Sequence, residues 1–248
     1  MKKPFVKRIT IIFIALPLLC FQAFSQEGAE PELSGPKLFA PVNYVGATLG
    51  INTGTAADSS LFFAQTDFQY NLSDWTFFAG IQGSGDGAGL TLSVQYWPFT
   101  WEHTRLGSEF IYNLDIYRDI SVTNNILPGF AFECQPLSWF SFRIELFYLF
   151  KARIIHALDE FLPVNTFAYK QQLNFYLPHD FTLSQYVATY GTYRYTQPGD
   201  LELGLKLSWD MNENWQFAFD VTSRQIIYYL FTTAFTAGEF KLGARYIF

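Results

Sequence analysis

The chain has 248 residues, a length that suits one domain; half of them are apolar and a fifth are aromatic, including 28 Phe, 15 Tyr and 6 Trp. Its mean hydropathy is close to zero, which excludes a bundle of membrane helices, and its net charge of −6 argues against nucleic acid as a partner. High aromatic content with moderate hydropathy is typical of a β-barrel whose side chains alternate between lipid and lumen.

The first 25 residues predict a secretory signal peptide. A basic start precedes an apolar run over residues 11–21, and Ala23 and Ser25 put small residues where a signal peptidase cleaves, between Ser25 and Gln26. The apolar run is too short for a membrane-spanning helix, which needs about 20 residues. We therefore expect export, with cleavage near Ser25.

The two cysteines indicate neither a disulfide nor a metal site. Cys20 lies in the predicted signal, and Leu18 and Leu19 before it do not fit lipoprotein processing. Cleavage leaves Cys134 as a single thiol. Since CxxC and Cys/His spacings are absent from the sequence, we expect neither a metal nor another cofactor.

Residues 26–41, rich in Glu, Gly and Pro, predict a flexible lead-in, and residues 42–248 predict the folded domain. The alternation in this domain is clearest over residues 201–210. There, Leu residues and Trp209 occupy one face, while Glu202 and Lys206 occupy the other. A period of two predicts strands with one apolar and one polar face.

Five short segments with turn-forming residues divide the alternating region, and each ends on an aromatic residue: 71–75, 97–101, 135–139, 177–181 and 210–215. We expect these rings at one membrane interface. Five turns separate six hairpins, which predicts an all-β, transmembrane, antiparallel up-and-down barrel of twelve strands, with ten or fourteen as alternatives. Both termini then lie on the turn side. The predicted strands are 42–52, 61–71, 75–83, 88–97, 102–116, 125–135, 139–152, 163–176, 181–195, 201–210, 215–225 and 236–248.

Two stretches depart from this pattern. Gln171, Gln185 and Thr189 fall on the lipid-facing phase unless a β-bulge shifts the alternation. Residues 226–235 are apolar where an outer loop should be polar. This segment is interpreted either as two strands that reach higher than the average strand, which we favour, or as an exposed patch for a partner.

Charged residues collect on the polar face, which predicts that they line the lumen, because Arg or Lys facing lipid at mid-depth costs about 2–4 kcal/mol. The predicted lumen-lining residues are Arg105, Glu109, Arg143, Glu145, Lys170, Arg194, Glu202, Lys206, Asp220, Arg224, Glu239, Lys241 and Arg245. Inward-phase rings are predicted to narrow the lumen: Phe78, Trp97, Phe147, Tyr176, Tyr186 and Tyr190. Twelve strands leave both a narrow pore and a salt-bridged closed lumen open.

The C-terminal residues resemble the assembly signal of bacterial outer-membrane barrel proteins. Lys241, Gly243, Tyr246 and Phe248 match a polar residue, a glycine two positions later and two aromatic residues at alternate positions, the second at the terminus. The resemblance implies that the barrel-assembly machinery reads this strand and that Tyr246 and Phe248 face lipid. It implies an outer-membrane location.

The histidines offer weak support for catalysis. His103 and His179 lie in or beside predicted turns, whereas His156 lies near Asp159 and Glu160 in a predicted outer loop, where a His–carboxylate pair could form. Outer-membrane phospholipase places a serine two residues after its histidine, and neither His103 nor His156 is followed by one. Omptin-type proteases use rim carboxylates, for which Asp58, Asp86, Asp119, His156 and Asp159 offer side chains but no motif.

The sequence therefore predicts a narrow passive channel for small hydrophilic solutes, in contact with outer-membrane lipid and without a cofactor. A structural or surface-interaction barrel with a closed lumen is the first alternative. A hydrolase at the outer rim is the second, although we expect no enzyme.

Overall fold

The computed structural model describes residues 42–54, 62–85, 87–155, 160–189, 200–227 and 233–248, and these form twelve β-strands. The strands are β1 Tyr44–Gly54, β2 Phe62–Leu72, β3 Trp75–Ser84, β4 Gly87–Thr100, β5 Thr104–Tyr117, β6 Val122–Leu137, β7 Phe140–Ile155, β8 Glu160–Leu177, β9 Phe181–Ala188, β10 Asp200–Asp210, β11 Trp215–Ile227 and β12 Thr233–Ile247. In the described part of the chain, no helix is long and apolar enough to cross a bilayer. The predicted signal and lead-in lie outside these residues and stay predictions.

The sheet closes on itself. Each strand pairs antiparallel with the next, and β1 pairs with β12 from Tyr44 opposite Ile247 to Gly54 opposite Ala237. The Phe248 N–H donates to the Asn43 carbonyl at 3.1 Å, so both ends of the barrel chain meet at the turn side. The predicted closed antiparallel barrel of twelve strands is confirmed. Closure leaves no free sheet edge. A sheet in lipid must be closed in this way, because unpaired backbone groups at an edge would be costly there.

Two of the predicted turns begin later than expected. β4 continues through Pro98 and β6 continues through Pro136, and the turns lie at residues 101–103 and 138–139. The strand ladder shifts register beside both prolines. A proline cannot donate to the ladder, and a bulge at a strand end accommodates it. The prolines were therefore wrongly assigned to the turns themselves.

The β8–β9 ladder shows no bulge in its described part, so Gln171 and Gln185 keep the lipid-facing phase that the alternation gives them. The pairing is continuous from Lys170 opposite Ala188 to Leu177 opposite Phe181. Gln171 is exposed on the outer face. Thr189 ends the ladder, because its hydroxyl accepts the Tyr169 N–H at 2.9 Å.

The apolar segment 226–235 is strand at both of its ends. β11 reaches Ile227 and β12 begins at Thr233, so these strands extend beyond the predicted bounds, as the favoured interpretation required. Residues 228–232 lie outside the described part of the chain. The described ends of the segment belong to the barrel wall.

Aromatic rings form a belt on the outer face at the turn end of the barrel. Contacts within this belt include Trp75–Tyr96 with ring centroids 4.5 Å apart, Phe140–Phe175 at 5.3 Å, Trp215–Tyr246 at 5.3 Å and Phe181–Trp209 at 5.9 Å. Phe68 stacks on Phe248 at 6.4 Å, which includes the last residue. Half-wet rings at this depth suit a membrane interface. The turn residues thus define one boundary of the apolar band.

Five of the six tryptophans belong to this turn end of the outer wall, namely Trp75, Trp101, Trp139, Trp209 and Trp215. Trp97 is different, since it faces the lumen and is only 4% exposed. We expect acyl-chain-brominated lipids to quench the five outer tryptophans and to spare Trp97.

Fluorescence quenching in brominated liposomes measures this difference. Trp97→Phe should remove emission from the unquenched fraction, because its ring is screened from lipid by the wall. The matched variant Trp209→Phe should remove emission from the quenched fraction. Loss of quenchable emission in Trp97→Phe would contradict the inward orientation.

Candidate functional site: a charged cavity in the lumen

The inner face of the strands encloses a cavity of about 520 Å³. Seven acidic and seven basic residues line it: Asp67, Glu109, Glu133, Glu145, Glu202, Asp220 and Glu239, with Arg105, Arg143, Lys170, Lys206, Arg224, Lys241 and Arg245. Every predicted lumen-lining residue that lies in the described part of the chain lines this cavity. Arg194 lies outside the described residues.

Arg143 is the centre of a network on the inner face of β5–β8. Its guanidinium lies 3.0 Å from Glu109, 3.8 Å from Glu133 and in direct contact with Glu145. Register explains the grouping, because Glu133 and Arg143 are direct partners in the β6–β7 ladder. Directly opposed side chains on one face have Cβ atoms about 4.5–5.5 Å apart. Three neighbouring carboxylates therefore share one cation.

The same network extends to both sides. Arg105 donates to Glu133 at 2.7 Å, and Lys170 lies 3.9 Å from Glu145. The Arg105 guanidinium also lies 4.0 Å from the centroid of the Trp97 ring. A cation over an indole face is a favourable contact, particularly where water is excluded. Trp97 is thereby held inside the barrel rather than at the membrane interface.

A second network lines β10–β12. Arg224 lies 3.3 Å from Glu202 and 3.5 Å from Glu239, and Lys241 lies 3.3 Å from Glu239 and 3.9 Å from Asp220. A separate pair joins β12 to β2, where Arg245 is 3.3 Å from Asp67.

These ion pairs lie within one strand, between adjacent strands or across one intervening strand, so they run along the wall. Removing ions from bulk water costs several kcal/mol each, and close pairing offsets that cost. Because the paired groups stay at the wall, they leave the cavity between them. The same charges therefore brace the barrel and line the space inside it.

Arg143→Ala should destabilise the barrel by about 3–5 kcal/mol, since it leaves three clustered carboxylates without their shared cation. The measurement is the free energy of unfolding in urea, with heat-shifted gel mobility reporting the folded fraction. Arg118→Ala is the control, because Arg118 is exposed in the turn after β5, and should change stability by less than about 0.5 kcal/mol. Equal effects in the two variants would contradict the assigned role of Arg143.

On the inner face of β5–β8, side chains pack together toward the outer end of the barrel, which is the end opposite the turn end. An apolar cluster there consists of Ile111, Leu127, Phe147, Leu149 and Ala168, each at most 7% exposed. Asn113, Thr123 and Asn125 are buried still further toward the outer end. The lumen is therefore filled on one side rather than lined evenly.

Glycines let several inward rings lie flat against the wall. Phe147 covers Gly129, Trp97 covers Gly107 and Tyr186 covers Gly204 on neighbouring strands, and a methyl group added at any of these glycines would overlap the ring. Tyr186 is also held by a hydrogen bond between its hydroxyl and Thr222 at 2.7 Å. These rings were predicted to narrow the lumen, yet their position against glycine keeps them at its edge.

Two further rings of the predicted inward set lie in the described part of the chain. Phe78 lines the cavity, and the Tyr176 hydroxyl is 3.0 Å from the Ser141 hydroxyl. Tyr190 lies outside the described residues.

Gly204→Ala should force the Tyr186 ring away from the wall and weaken its hydrogen bond to Thr222. We expect a loss of about 1–3 kcal/mol, the usual cost of overpacking, measured as the free energy of unfolding. Gly83→Ala is a matched strand control, because a methyl group there meets no atom within 4 Å. A neutral Gly204→Ala would show that the ring and glycine do not pack as described.

The amide side chains of the lining were not predicted from the sequence. Gln95 donates to Glu109 at 2.8 Å, and Asn174 accepts from Gln172 and from Ser184, both at 2.8 Å. Their inward phase is visible in the sequence, but only charged and aromatic side chains were predicted to line the lumen. These amides add neutral hydrogen-bonding groups to the cavity.

The C-terminal residues occupy both faces of β12. Gly243 and Lys241 line the cavity, whereas Tyr246 and Phe248 are 40% and 57% exposed on the outer face. This matches the orientation that the assembly-signal resemblance implied. Recognition by the assembly machinery stays a prediction.

The residues considered for catalysis are dispersed. His103 lies 3.7 Å from Glu102 in an exposed turn, and His179 lies in the turn after β8. Asp119 holds the turn after β5, where it accepts the Ser121 hydroxyl at 2.6 Å and the Ser121 N–H at 2.9 Å. These hydrogen bonds lower the pKa of Asp119. Asp58, Asp86, His156 and Asp159 lie outside the described residues.

Neither a family model nor a curated protein sequence matches the chain. Solved structures do resemble it. The NanC porin has a TM-score of 0.62 at 10% identity, with 82% of this chain and 98% of that chain covered. The KdgM porin in complex with disordered oligogalacturonate has a TM-score of 0.55 at 11% identity, with 83% and 99% covered. An outer membrane channel from Pseudomonas putida F1 has a TM-score of 0.50 at 12% identity, with 86% and 97% covered.

At such low identity these likenesses define the fold alone. The chain has the closed antiparallel β-barrel fold of outer-membrane porins and channels.

Proposed function

We propose that the protein is an outer-membrane channel through which small hydrophilic solutes diffuse passively. The observation that carries this proposal is the cavity of about 520 Å³, lined by charges whose ion pairs run along the wall. Neutral amides between the charges offer hydrogen bonds to a polar solute. Channel function needs contacts that favour entry without holding the solute tightly, and a lining of paired charges and amides fits that need.

The outer-membrane location belongs to the same proposal. The apolar outer face, the aromatic belt and the likeness to outer-membrane porins support it. Outer-membrane lipid would contact this face, and the barrel-assembly machinery would bind β12 through Tyr246 and Phe248.

A closed structural barrel is the second candidate, and the packed cluster on the inner face of β5–β8 favours it. If that packing continued around the lumen, solutes would not pass. The two candidates differ in one measurable property, the conductance of the folded barrel.

Cysteine variants in a planar bilayer test the channel. In a Cys134→Ser background, Ala218→Cys places a thiol on the cavity, and Leu242→Cys places one on the outer face, where Leu242 is 65% exposed. We expect discrete conductance steps from both variants. A negatively charged methanethiosulfonate reagent should lower the step size of Ala218→Cys and leave Leu242→Cys unchanged, because only the first adduct occupies the lumen.

Folding is checked separately by heat-shifted gel mobility. A folded barrel without conductance would favour the closed structural barrel. Equal sensitivity of the two variants to the reagent would contradict a solute path through this cavity.

A further inference from the structure

Lys206 differs from the other cations of the lumen. Seven basic residues line the cavity, and six of them lie within 4.0 Å of a carboxylate oxygen. Among the described residues, Lys206 forms neither such an ion pair nor a side-chain hydrogen bond. An ammonium group has three donors and strongly prefers acceptors. Lys206 therefore presents unused donors inside a cavity whose other charges are engaged.

The surroundings of Lys206 leave room beside its side chain. On β10 its inward neighbours are Gly204 and Ser208, and its ladder partners are Ser184 on β9 and Asp220 on β11. Small side chains dominate this part of the wall. The Tyr186 ring, which covers Gly204, bounds the space toward the outer end.

The adjacent carboxylate does not satisfy Lys206. Asp220 lies 3.9 Å from Lys241 and also accepts the Thr222 hydroxyl at 3.3 Å. Arg245 lines the same cavity as Lys206. Two cations thus face the same space, and an anion placed there would reduce their mutual repulsion.

We propose that Lys206 is the anion-binding group of the lumen and that it binds the carboxylate of a small hydroxylated solute. The amides and hydroxyls of the lining would accept and donate hydrogen bonds to the hydroxyl groups of that solute. This inference rests on the proposed channel function for its role in passage, but binding at Lys206 does not itself require conduction.

Gluconate is the probe, with sorbitol as an uncharged polyol of similar size. Saturation-transfer NMR on the folded full-length barrel in detergent measures weak equilibrium binding, and planar-bilayer recordings measure block by the same probe. We expect gluconate to bind and to block, and sorbitol to do neither at the same concentration. Absent binding of gluconate to the wild type overturns the proposal.

Lys206→Gln should weaken gluconate binding about tenfold, the loss expected for one charge-assisted hydrogen bond. Lys170→Gln removes the same charge from the same cavity, but its ammonium is already paired with Glu145, so it should weaken binding less than about threefold. Lys206→Arg should retain binding. Equal weakening by the two glutamine variants would show a general charge effect and overturn the site.

Arg105→Gln serves as a second control if Lys170→Gln does not fold, because Arg105 is paired with Glu133. The two measurements separate the two proposals. Gluconate binding without conductance contradicts the channel and retains the site at Lys206, whereas conductance without binding contradicts the site and retains the channel.

Discussion

Exclusion of charge from hydrocarbon is the constraint on which the rest of this barrel depends. Arg or Lys facing lipid at mid-depth costs about 2–4 kcal/mol, so a strand of period two must turn its charged residues inward. Inside, the same residues are removed from bulk water, and close pairing offsets that cost. Arg143 among three carboxylates and Arg224 between Glu202 and Glu239 are the outcome. The cost of placing charge against lipid on the outer face thereby determines which ion pairs form on the inner face.

Glycine controls how much of the interior remains open. A twelve-stranded barrel lies between those that side chains fill and those that leave a channel. Tyr186 and Trp97 would extend into that space from an ordinary wall, but Gly204 and Gly107 let the rings lie against the neighbouring strand. Phe147 does the same above Gly129 and there joins an apolar cluster. Ring positions thus fill one side of the lumen and spare the cavity.

Alternation predicted the fold class and the inward phase of the charged residues, and the five turn segments predicted the strand number, because both signals are local in the sequence. Neither signal predicted which charges pair. Glu133 meets Arg105 and Arg143 through ladder register, which depends on turn length and, for Arg143, on the bulge beside Pro136. That bulge was interpreted as part of a turn, since proline is common in both. The sequence did not distinguish Lys206 from the other inward charges. Its lack of an ion-pair partner depends on its neighbours on β9 and β11, which the sequence alone does not place beside it.

Pairing along the wall also changes what a solute would encounter. Acidic and basic residues are equal in number around the cavity, so its net charge favours neither sign. Most of these charged groups already form ion pairs or hydrogen bonds with one another, so they have few free donors or acceptors for a solute. Selectivity would then depend on donors that remain unused, and among the described lining residues Lys206 is the charged one in that state. A lumen of balanced charge can in this way discriminate by a single side chain.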